Sequence, residues 1–331
     1  MALLTLACSH AASAQTFEVT GTRAAGMGGA FVAVADDASA VYWNPAGLAS
    51  GAYFSLVLDH NTAEASLETD PQSGSQSATL LAAGFPALGL SYYRLRATSV
   101  EAPLVPPVLD APPPLDVTGH ARLASLITHH TGVTLVQSLT DRIAVGTTLK
   151  LVRGVAAALV VPDTGDRDDL LDEAGGLVGS GSTEFDADIG VLAMVGTLRA
   201  GLTVRNVREP EFETRGGQEA LQLHRQVRAG VALTAATGLL VAADMDLRSV
   251  PGTTGLVRNF AAGAEARVLR RATVRGGFRF NTKDDQPGGR APVGTAGASY
   301  AVFGSVLVDG QVTFGSESAD RGWGIGARVL F

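Results

Sequence analysis

The sequence predicts an all-β protein whose strands close into a transmembrane antiparallel barrel of about fourteen strands. Three observations predict this fold: runs with a strand-like period of two, gaps that alternate between short and long, and an apolar stripe that ends on the last residue, Phe331. Many runs last 10 to 13 residues. That is longer than the roughly 5 or 6 residues of globular strands and matches what a tilted membrane strand needs.

The composition excludes a helical membrane protein. Of the 331 residues, 46% are hydrophobic, yet the longest unbroken apolar run beyond the N-terminus is 155–161. A membrane-spanning helix needs about 18 or more. Only helices and closed barrels satisfy every backbone group in hydrocarbon, so a barrel is expected. The net charge of −7 gives no basis for a nucleic-acid partner. The single cysteine, Cys8, allows no disulfide, and no cofactor is expected.

Residues 1–14 are expected to be a signal peptide. An apolar stretch ends in Ala12-Ser13-Ala14 before Gln15, which is the small-x-small pattern of signal cleavage. Acylation of Cys8 is the alternative, although the residues before it form a poor lipoprotein acceptor site. An exported barrel is expected to lie in the bacterial outer membrane and to contact the lipid of that membrane.

Strand alternation is clearest in 238–248, where Leu239 and Val241 share one face and Asp244 and Asp246 share the other. The same pattern, with boundaries good to a few residues, places strands at 52–60, 77–85, 88–97, 119–139, 142–153, 183–195, 198–207, 222–235, 238–248, 257–268, 272–281, 292–302, 304–314 and 322–331.

The even strand count places both chain ends on the periplasmic side. Barrels of this class have short periplasmic turns, such as Thr140-Asp141 and Ala236-Thr237, and longer outside loops. The run 119–139 is taken as one strand, because splitting it at Gly132 would give an odd count. The long gaps that then fall outside are 61–76, 98–118, 154–182, 208–221, 249–256, 282–291 and 315–321.

The last strand carries an apolar stripe on one face, formed by Trp323, Ile325, Ala327, Val329 and Phe331. It resembles the C-terminal recognition strand of outer-membrane proteins, which implies that the barrel-assembly machinery is a partner. An ordinary edge strand is the alternative, but it would expose this stripe at an open sheet edge.

Residues 15–51 do not read as barrel strand. Gly26-Met27-Gly28-Gly29 resembles a nucleotide loop only in part, because Phe31 stands where the last glycine is needed. Asp36-Asp37 lacks the further ligands of a metal site and is better read as a cap or turn. No metal site is therefore expected.

The same segment resembles the N-terminal signature of the FadL-like outer-membrane transport superfamily, and most closely its PorV-like branch. The resemblance rests on a glycine-rich start, an acidic pair and an Asn-Pro-Ala-Gly-Leu motif. It implies a fourteen-stranded barrel, here 52–331, with residues 15–51 folded inside as a hatch. The hatch and gate residues that it implies are Asp36, Asp37, Asn44, Pro45, Ala46, Gly47 and Leu48.

Physical reasoning agrees with a plug, since sixteen-stranded barrels leave a channel and fourteen strands would leave a lumen to fill. A tight turn at Asn44-Pro45 with no transport role is the alternative. Charged positions are expected to face the lumen, either as a selectivity lining or, more simply, as a polar network that fixes register and holds the hatch. They are Glu184, Asp186, Asp188, Arg199, Arg205, Arg228, Asp244, Asp246, Glu265, Arg267, Arg275 and Arg279. If the hatch lies in the lumen, their expected partners are its backbone and the side chains of Arg23, Asp36 and Asp37.

The outside gaps contain apolar segments, the proline-rich 103–115 and the leucine-bearing 154–182. They either dock something hydrophobic or pack on themselves. The expected function is therefore passive uptake of small hydrophobic molecules across the outer membrane. The alternative is a PorV-like docking barrel for a secreted protein. A barrel enzyme is not expected, because His129 and His130 point to opposite faces and no catalytic set is readable.

Overall fold

The computed structural model describes residues 20–66, 73–101, 119–164, 166–215, 220–235, 238–252, 255–283, 292–315 and 321–331. The expected signal peptide, the proline-rich segment 103–115 and the turn Ala236-Thr237 lie outside the described residues. Among the helices in the described parts of the chain, none is long and apolar enough to cross a membrane.

Four short helices and eighteen strands make up the described chain. The helices are α1 (Thr22–Ala25), α2 (Ala40–Trp43), a 3₁₀ helix (Pro45–Ser50) and α3 (Arg167–Gly176). The strands are β1 (Ser55–Ser66), β2 (Ser73–Gly84), β3 (Leu88–Glu101), β4 (His120–Thr140), β5 (Ile143–Pro162), β6 (Ser180–Val195), β7 (Leu198–Arg205), β8 (Glu211–Glu213), β9 (Ala220–Gln222), β10 (Gln226–Thr234), β11 (Leu239–Asp246), β12 (Val250–Gly252), β13 (Gly255–Val257), β14 (Asn259–Arg267), β15 (Ala272–Asn281), β16 (Val293–Phe303), β17 (Val306–Phe314) and β18 (Arg321–Leu330).

Fourteen of the strands form one closed antiparallel barrel, which confirms the predicted fold class. Neighbours in the sheet follow chain order, and β1 closes the ring against β18. The pairs β8–β9 and β12–β13 are separate hairpins in two of the long gaps. The strand β4 is continuous through Gly132, as the strand count required.

Several strand boundaries were predicted wrongly. The gap 61–76 is mostly strand, because β1 continues to Ser66 and β2 begins at Ser73. The gap 154–182 is also shorter than predicted, because β5 reaches Pro162. These extensions are polar or irregular in pattern and lack the apolar–polar alternation of the strands near the short turns. Their backbones nevertheless continue the same hydrogen-bonded ladders.

The two faces of the wall differ in polarity. Leu58, Leu81, Leu151, Val231 and Trp323 are among the large apolar side chains exposed on the outside. Alternate positions point inward and are rich in charged and polar residues that are buried. An apolar exterior around a polar interior is the pattern of barrels that sit in lipid.

Helix α3 packs on the outside of the barrel near the rim that carries the long gaps. Its N-cap is Asp166, whose side chain accepts hydrogen bonds from the backbone N–H of Asp168 at 3.1 Å and of Asp169 at 3.3 Å. Leu170 is buried, so this leucine-bearing segment covers the wall instead of projecting as a loop. Leu170 and Ala174 of α3 form one buried apolar cluster with wall residues Val100, Ala121, Leu123 and Val161.

Candidate functional site: the filled lumen

The chain from residue 20 to residue 51, which we call the N-terminal segment, fills the part of the lumen nearer to the short turns. We call this part the lower lumen. Its side chains reach inward-facing residues around the ring, from Gly84 of β2 to Arg328 of β18. Its aromatic residues Phe31, Tyr42 and Trp43 are fully buried. Trp43 packs edge-on against both others, with ring centroids 5.8 and 5.9 Å apart. The segment thus brings its own apolar core into a polar-walled lumen.

On one side the segment presses against strand glycines. Gly146 of β5, Gly190 of β6 and Gly201 of β7 form a patch that we call the steric seat. A Cβ on Gly146 would overlap the backbone between Pro45 and Ala46, and one on Gly190 would overlap the Asn44 amide. A Cβ on Gly201 would lie 2.7 Å from the carbonyl oxygen of Val32. The backbones can approach this closely only because no side chain separates them.

Asn44 holds this part of the segment together and ties it to the wall. Its amide nitrogen donates to the carbonyl oxygens of Val32 at 2.9 Å and of Val191 at 3.1 Å. Its side-chain oxygen accepts from the Ala46 N–H at 3.2 Å, which caps the 3₁₀ helix. Pro45 occupies the first position of that helix, where no donor is lost.

Gly47 and Leu48 complete the predicted Asn-Pro-Ala-Gly-Leu motif. Gly47 lies against the Ala35 carbonyl, where a Cβ would overlap it. Leu48 is buried against Gly84 of β2 and Gly89 of β3. The motif is therefore a tight turn that fits a wall of small residues, and all five of its residues are buried.

On the opposite side the segment is held by ion pairs, which we call the charged seat. Arg23 lies 2.5 Å from Asp36, 3.3 Å from Asp37 and 2.8 Å from Glu265 of β14. Arg328 of β18 lies 3.1 Å from Asp37. Two carboxylates of the segment, one of its guanidiniums and two side chains of the wall thus share one network.

The charged seat continues into the wall. Arg328 donates to Asp309 of β17 at 2.6 Å, and Arg275 of β15 reaches Asp309 at 3.1 Å and Glu265 at 3.4 Å. Ser299 donates to the same Asp309 carboxylate. Because each buried charge here has at least one opposite neighbour, the network offsets the cost of removing these groups from water.

Burial and pairing act in opposite directions on the two segment residues of this network. Burial by itself raises the pKa of Asp37, but the nearby Arg328 and Arg23 outweigh it and hold the pKa at about 2. Burial tends to lower the pKa of Arg23, and Asp36 and Glu265 more than compensate, so it is raised. Both groups therefore remain charged at neutral pH.

Between the two seats, β11 and β10 bind the segment through its backbone. Asp244 accepts hydrogen bonds from the N–H groups of Phe31 and Val32, both at 2.8 Å. Arg228 donates to Asp246 at 2.6 Å and lies 6.0 Å from the Trp43 ring centroid. These predicted lumen residues do face the segment.

Higher in the lumen, Lys150 of β5 is fully buried and is the centre of a second polar cluster. It lies 3.1 Å from Asp186 and 2.7 Å from Asp188, and it donates to Asn206 at 2.9 Å. The predicted list included both acids but missed Lys150. The signal that could have identified it is a cation between Leu149 and Leu151, which places its side chain on the opposite face of the strand from the two leucines.

Arg267 and Arg279, two further predicted lumen residues, differ in burial. Arg267 is exposed at the end of β14, so it is not part of the buried lining. Arg279 of β15 is buried and lies opposite Ala261 of β14, on the inward-facing side of the wall. Arg205 of β7, which the sequence also placed in the lumen, is buried, and its guanidinium lies 3.5 Å from the Tyr42 ring centroid in a cation–π contact from the wall to the segment.

The hairpin β8–β9 covers the inner wall above the polar cluster. Phe212 and Leu221 are buried, and the ring of Phe212 lies where a Cβ on Gly154 would be. Their apolar cluster includes Leu126, Val152, Ala156 and Leu223. In the part of the chain that the structure describes, no group of three or more His, Cys, Asp or Glu side chains could hold a metal ion.

Comparison with known families gives a match over residues 115–246 to the family described as "F plasmid transfer operon, TraF, protein". This match spans less than half of the chain. Curated protein sequences give no match.

Solved structures share the fold over nearly the whole chain. The Ralstonia pickettii toluene transporter TbuX is 16% identical, with 96% of this chain and 99% of that chain covered and a TM-score of 0.63. A Pseudomonas aeruginosa FadL homologue is 11% identical, with 97% and 100% covered and a TM-score of 0.64. The Pseudomonas putida toluene transporter TodX is 12% identical, with 94% and 96% covered and a TM-score of 0.58.

The fold is therefore that of the FadL-like outer-membrane barrels. Identities this low define the fold and leave function to be argued from the site. None of these three structures is a docking barrel, so they give the PorV-like alternative no support, and that branch stays a prediction.

Proposed function

We propose that the protein mediates passive uptake of small hydrophobic molecules across the bacterial outer membrane, with residues 15–51 as its hatch and 52–331 as its barrel. The observation that carries this proposal is the way the lumen is filled. A segment continuous with the first strand occupies the lower lumen, and side-chain hydrogen bonds, ion pairs and close packing hold it there.

The wall does not depend on the segment for its own hydrogen bonds. Each barrel strand pairs with its two neighbours around the ring. A rearrangement of the segment can therefore open a path without breaking the ladders that close the barrel. The charges freed by such a movement would face water in the opened lumen, which lowers the cost of separating them.

Two structural neighbours support the substrate class, since the structures of TbuX and TodX are described as those of toluene transporters. The apolar exterior supports placement in the outer membrane. Both ends of the barrel sheet lie at one rim, because the strand count is even, and we assign that rim to the periplasm. The assembly machinery is proposed to recognise the C-terminal strand.

A reversible cross-link between the segment and the wall tests the hatch. A Cβ on Gly84 of β2 would lie 3.5 Å from the Cβ of Ala38, which is within the range for a disulfide. The methyl end of Leu48 would have to move to admit it. The double variant A38C/G84C, produced in cells that otherwise lack the protein, should form this bond on export.

Toluene uptake by intact cells is the measurement. The oxidised double variant should fall to the background of cells without the protein, and dithiothreitol should restore uptake. Single variants A38C and G84C, treated identically, are the matched controls and should not respond. Parent-level uptake by the oxidised variant would show that the segment need not move. Background uptake by the parent protein would overturn the transport proposal itself.

A further inference from the structure

The outer wall carries a row of polar side chains that uptake through the lumen does not require. Each residue of this row lies directly opposite the next in the register of β1 to β6. Arg153 is exposed, and its neighbours Val152 and Gly154 are buried toward the lumen, which shows that the row faces outward. The members of this basic row are His60, Thr79, Arg94, His129, Arg153 and Thr183.

The basic row lies at a change in the character of the wall. The row below it, toward the short turns, is mainly apolar and consists of Leu58, Leu81, Tyr92, Thr131, Leu151 and Phe185. The row above it consists of Thr62, Ser77, Arg96, Ile127, Val155 and Gly181. None of the three rows contains a carboxylate. A switch from apolar to basic marks the level where hydrocarbon gives way to headgroups.

Three side chains of the basic row converge. Arg94 and Arg153 lie on either side of His129 on adjacent strands, and directly opposed residues have Cβ atoms about 5 Å apart. Tyr92 holds the His129 ring through a contact of 2.8 Å between its hydroxyl and Nδ1. Two guanidiniums can therefore reach one bound anion between them.

These cations lack a counter-charge within the described chain. Arg94 and Arg153 form no ion pair or hydrogen bond with a described residue, whereas Arg96 above them is bound to the Gly175 carbonyl of α3. The nearest carboxylate at an outward-facing position of these strands, Glu64, is four residues above the basic row along β1, and Glu184, next to Thr183, lies opposite the inward-facing Val152. Like charges placed side by side destabilise a sheet unless something neutralises them.

The wall also has a groove at this point. It has a volume of about 500 Å³ and is lined by polar and apolar residues together. Leu151 and Val155 offer apolar surface to the groove, and Arg153 offers charge. Arg94 lies beside the groove, directly opposite its lining residue His129. The residues that line it are His129, Thr131, Leu151, Arg153, Val155 and Thr183.

We propose that this groove binds the phosphate of an anionic lipid headgroup in the outer leaflet. The guanidiniums of Arg94 and Arg153 bind the phosphate oxygens through paired hydrogen bonds, a geometry that suits arginine better than lysine. The acyl chains lie along the apolar row below. This inference rests on the proposed placement in the outer membrane but not on transport.

The test compares two double variants with the same loss of charge. R94Q/R153Q removes the two converging cations. R270Q/R271Q removes two exposed cations from the turn between β14 and β15 at the opposite rim and is the control. Each protein is purified in detergent and titrated with diphosphorylated lipid A, and bound lipid is counted by native mass spectrometry. Dephosphorylated lipid A and inorganic phosphate are the comparison ligands.

We expect R94Q/R153Q to bind lipid A about 25-fold more weakly, since each arginine near an anionic surface contributes about five-fold. The control should bind as the parent does, and the dephosphorylated lipid should bind weakly to all three. Equal binding by both double variants would overturn the proposal, as would competition by inorganic phosphate at the same concentration as lipid. Uptake of toluene separates the proposals: lipid binding without uptake would count against transport alone.

Discussion

The two sides of the lumen hold the same segment by different sets of contacts, since one of them adds a network of ion pairs to the close packing of backbone on wall glycines. At the steric seat, backbone lies on backbone, and the fit depends on the absence of side chains at Gly146, Gly190 and Gly201. At the charged seat, Arg23 and Asp37 pair with Glu265 and Arg328 of the wall. Close packing is insensitive to pH and salt, whereas ion pairs depend on the protonation of their members.

This difference suggests a division of labour. The steric seat restricts where the segment lies, because the segment packs directly against its glycines. The charged seat fixes how firmly it lies there, because its buried pairs are costly to break singly but can be hydrated once the lumen opens. A hatch of this kind would pivot at the steric seat and release at the charged one.

The largest effect is expected from filling the steric seat. The variant G146L places a side chain where the Pro45–Ala46 backbone now lies, and backbone cannot move aside as a flexible side chain can. The segment should be displaced and the barrel should conduct ions steadily in planar bilayers, whereas the parent should be nearly silent. The control is G310L in β17, where an added Cβ meets nothing within 4 Å.

If G146L folds as a barrel but does not conduct ions, the segment shifts and still blocks the lumen. The segment could then occupy several equivalent positions, and the steric seat would not determine where it lies.

A smaller effect is expected from D37N at the charged seat. The change removes a carboxylate between Arg23 and Arg328 and leaves buried positive charge less compensated, which costs about 3–5 kcal/mol for a buried pair. Conductance should be intermittent, since the steric seat still fits. The matched control is D36N, because the Asp36 side chain is one-third exposed and solvent can replace it. Equal leakage from both variants would contradict a special role for the buried acid.

The sequence contained most of the barrel but little of either seat. Period-two alternation and the requirement of an even strand count were sufficient to predict fourteen strands, because every strand of a closed barrel repeats the same pattern. The acids Asp244 and Glu265 could be assigned to the lumen for the same reason. The segment backbone, Arg23, Asp36 and Asp37 could be named as the expected partners. Which acid meets which partner could not be predicted, since the contacts of Asp244 with Phe31 and of Glu265 with Arg23 join residues more than 200 positions apart.

The glycines of the steric seat show why the rest was hidden. Within a strand, glycine reads as a weak strand residue or a bulge, and nothing in the local sequence shows that a second backbone lies against it. Lys150 was overlooked because one cation between two leucines resembles an ordinary alternation. Helix α3 was read as a loop because its packing surface is the outer wall, which only the closed fold provides.

The smallest effect, and the sharpest test of the charged seat, is its response to pH. The pKa of Asp37 is about 2 in the folded protein, below its ordinary value of 3.8. Its charge therefore stabilises the docked segment at every pH above the ordinary value, and this contribution of roughly 2 kcal/mol is lost as pH falls from about 4 to about 2. Arg23, Arg328 and Ser39 are the groups that hold the charged form.

The difference in conductance between D37N and the parent protein, which isolates Asp37, should consequently stay constant from pH 8 to pH 5 and shrink only below about pH 4. The variant D37N, which has no proton to gain at this position, should show its intermittent leak throughout and a much shallower rise than the parent at low pH. Salt provides an independent check, because buried pairs are screened far less than exposed ones, so molar salt at pH 7 should leave the parent nearly silent. A difference that already shrinks near pH 6 would assign the release to another group and leave Asp37 as one structural contact among many.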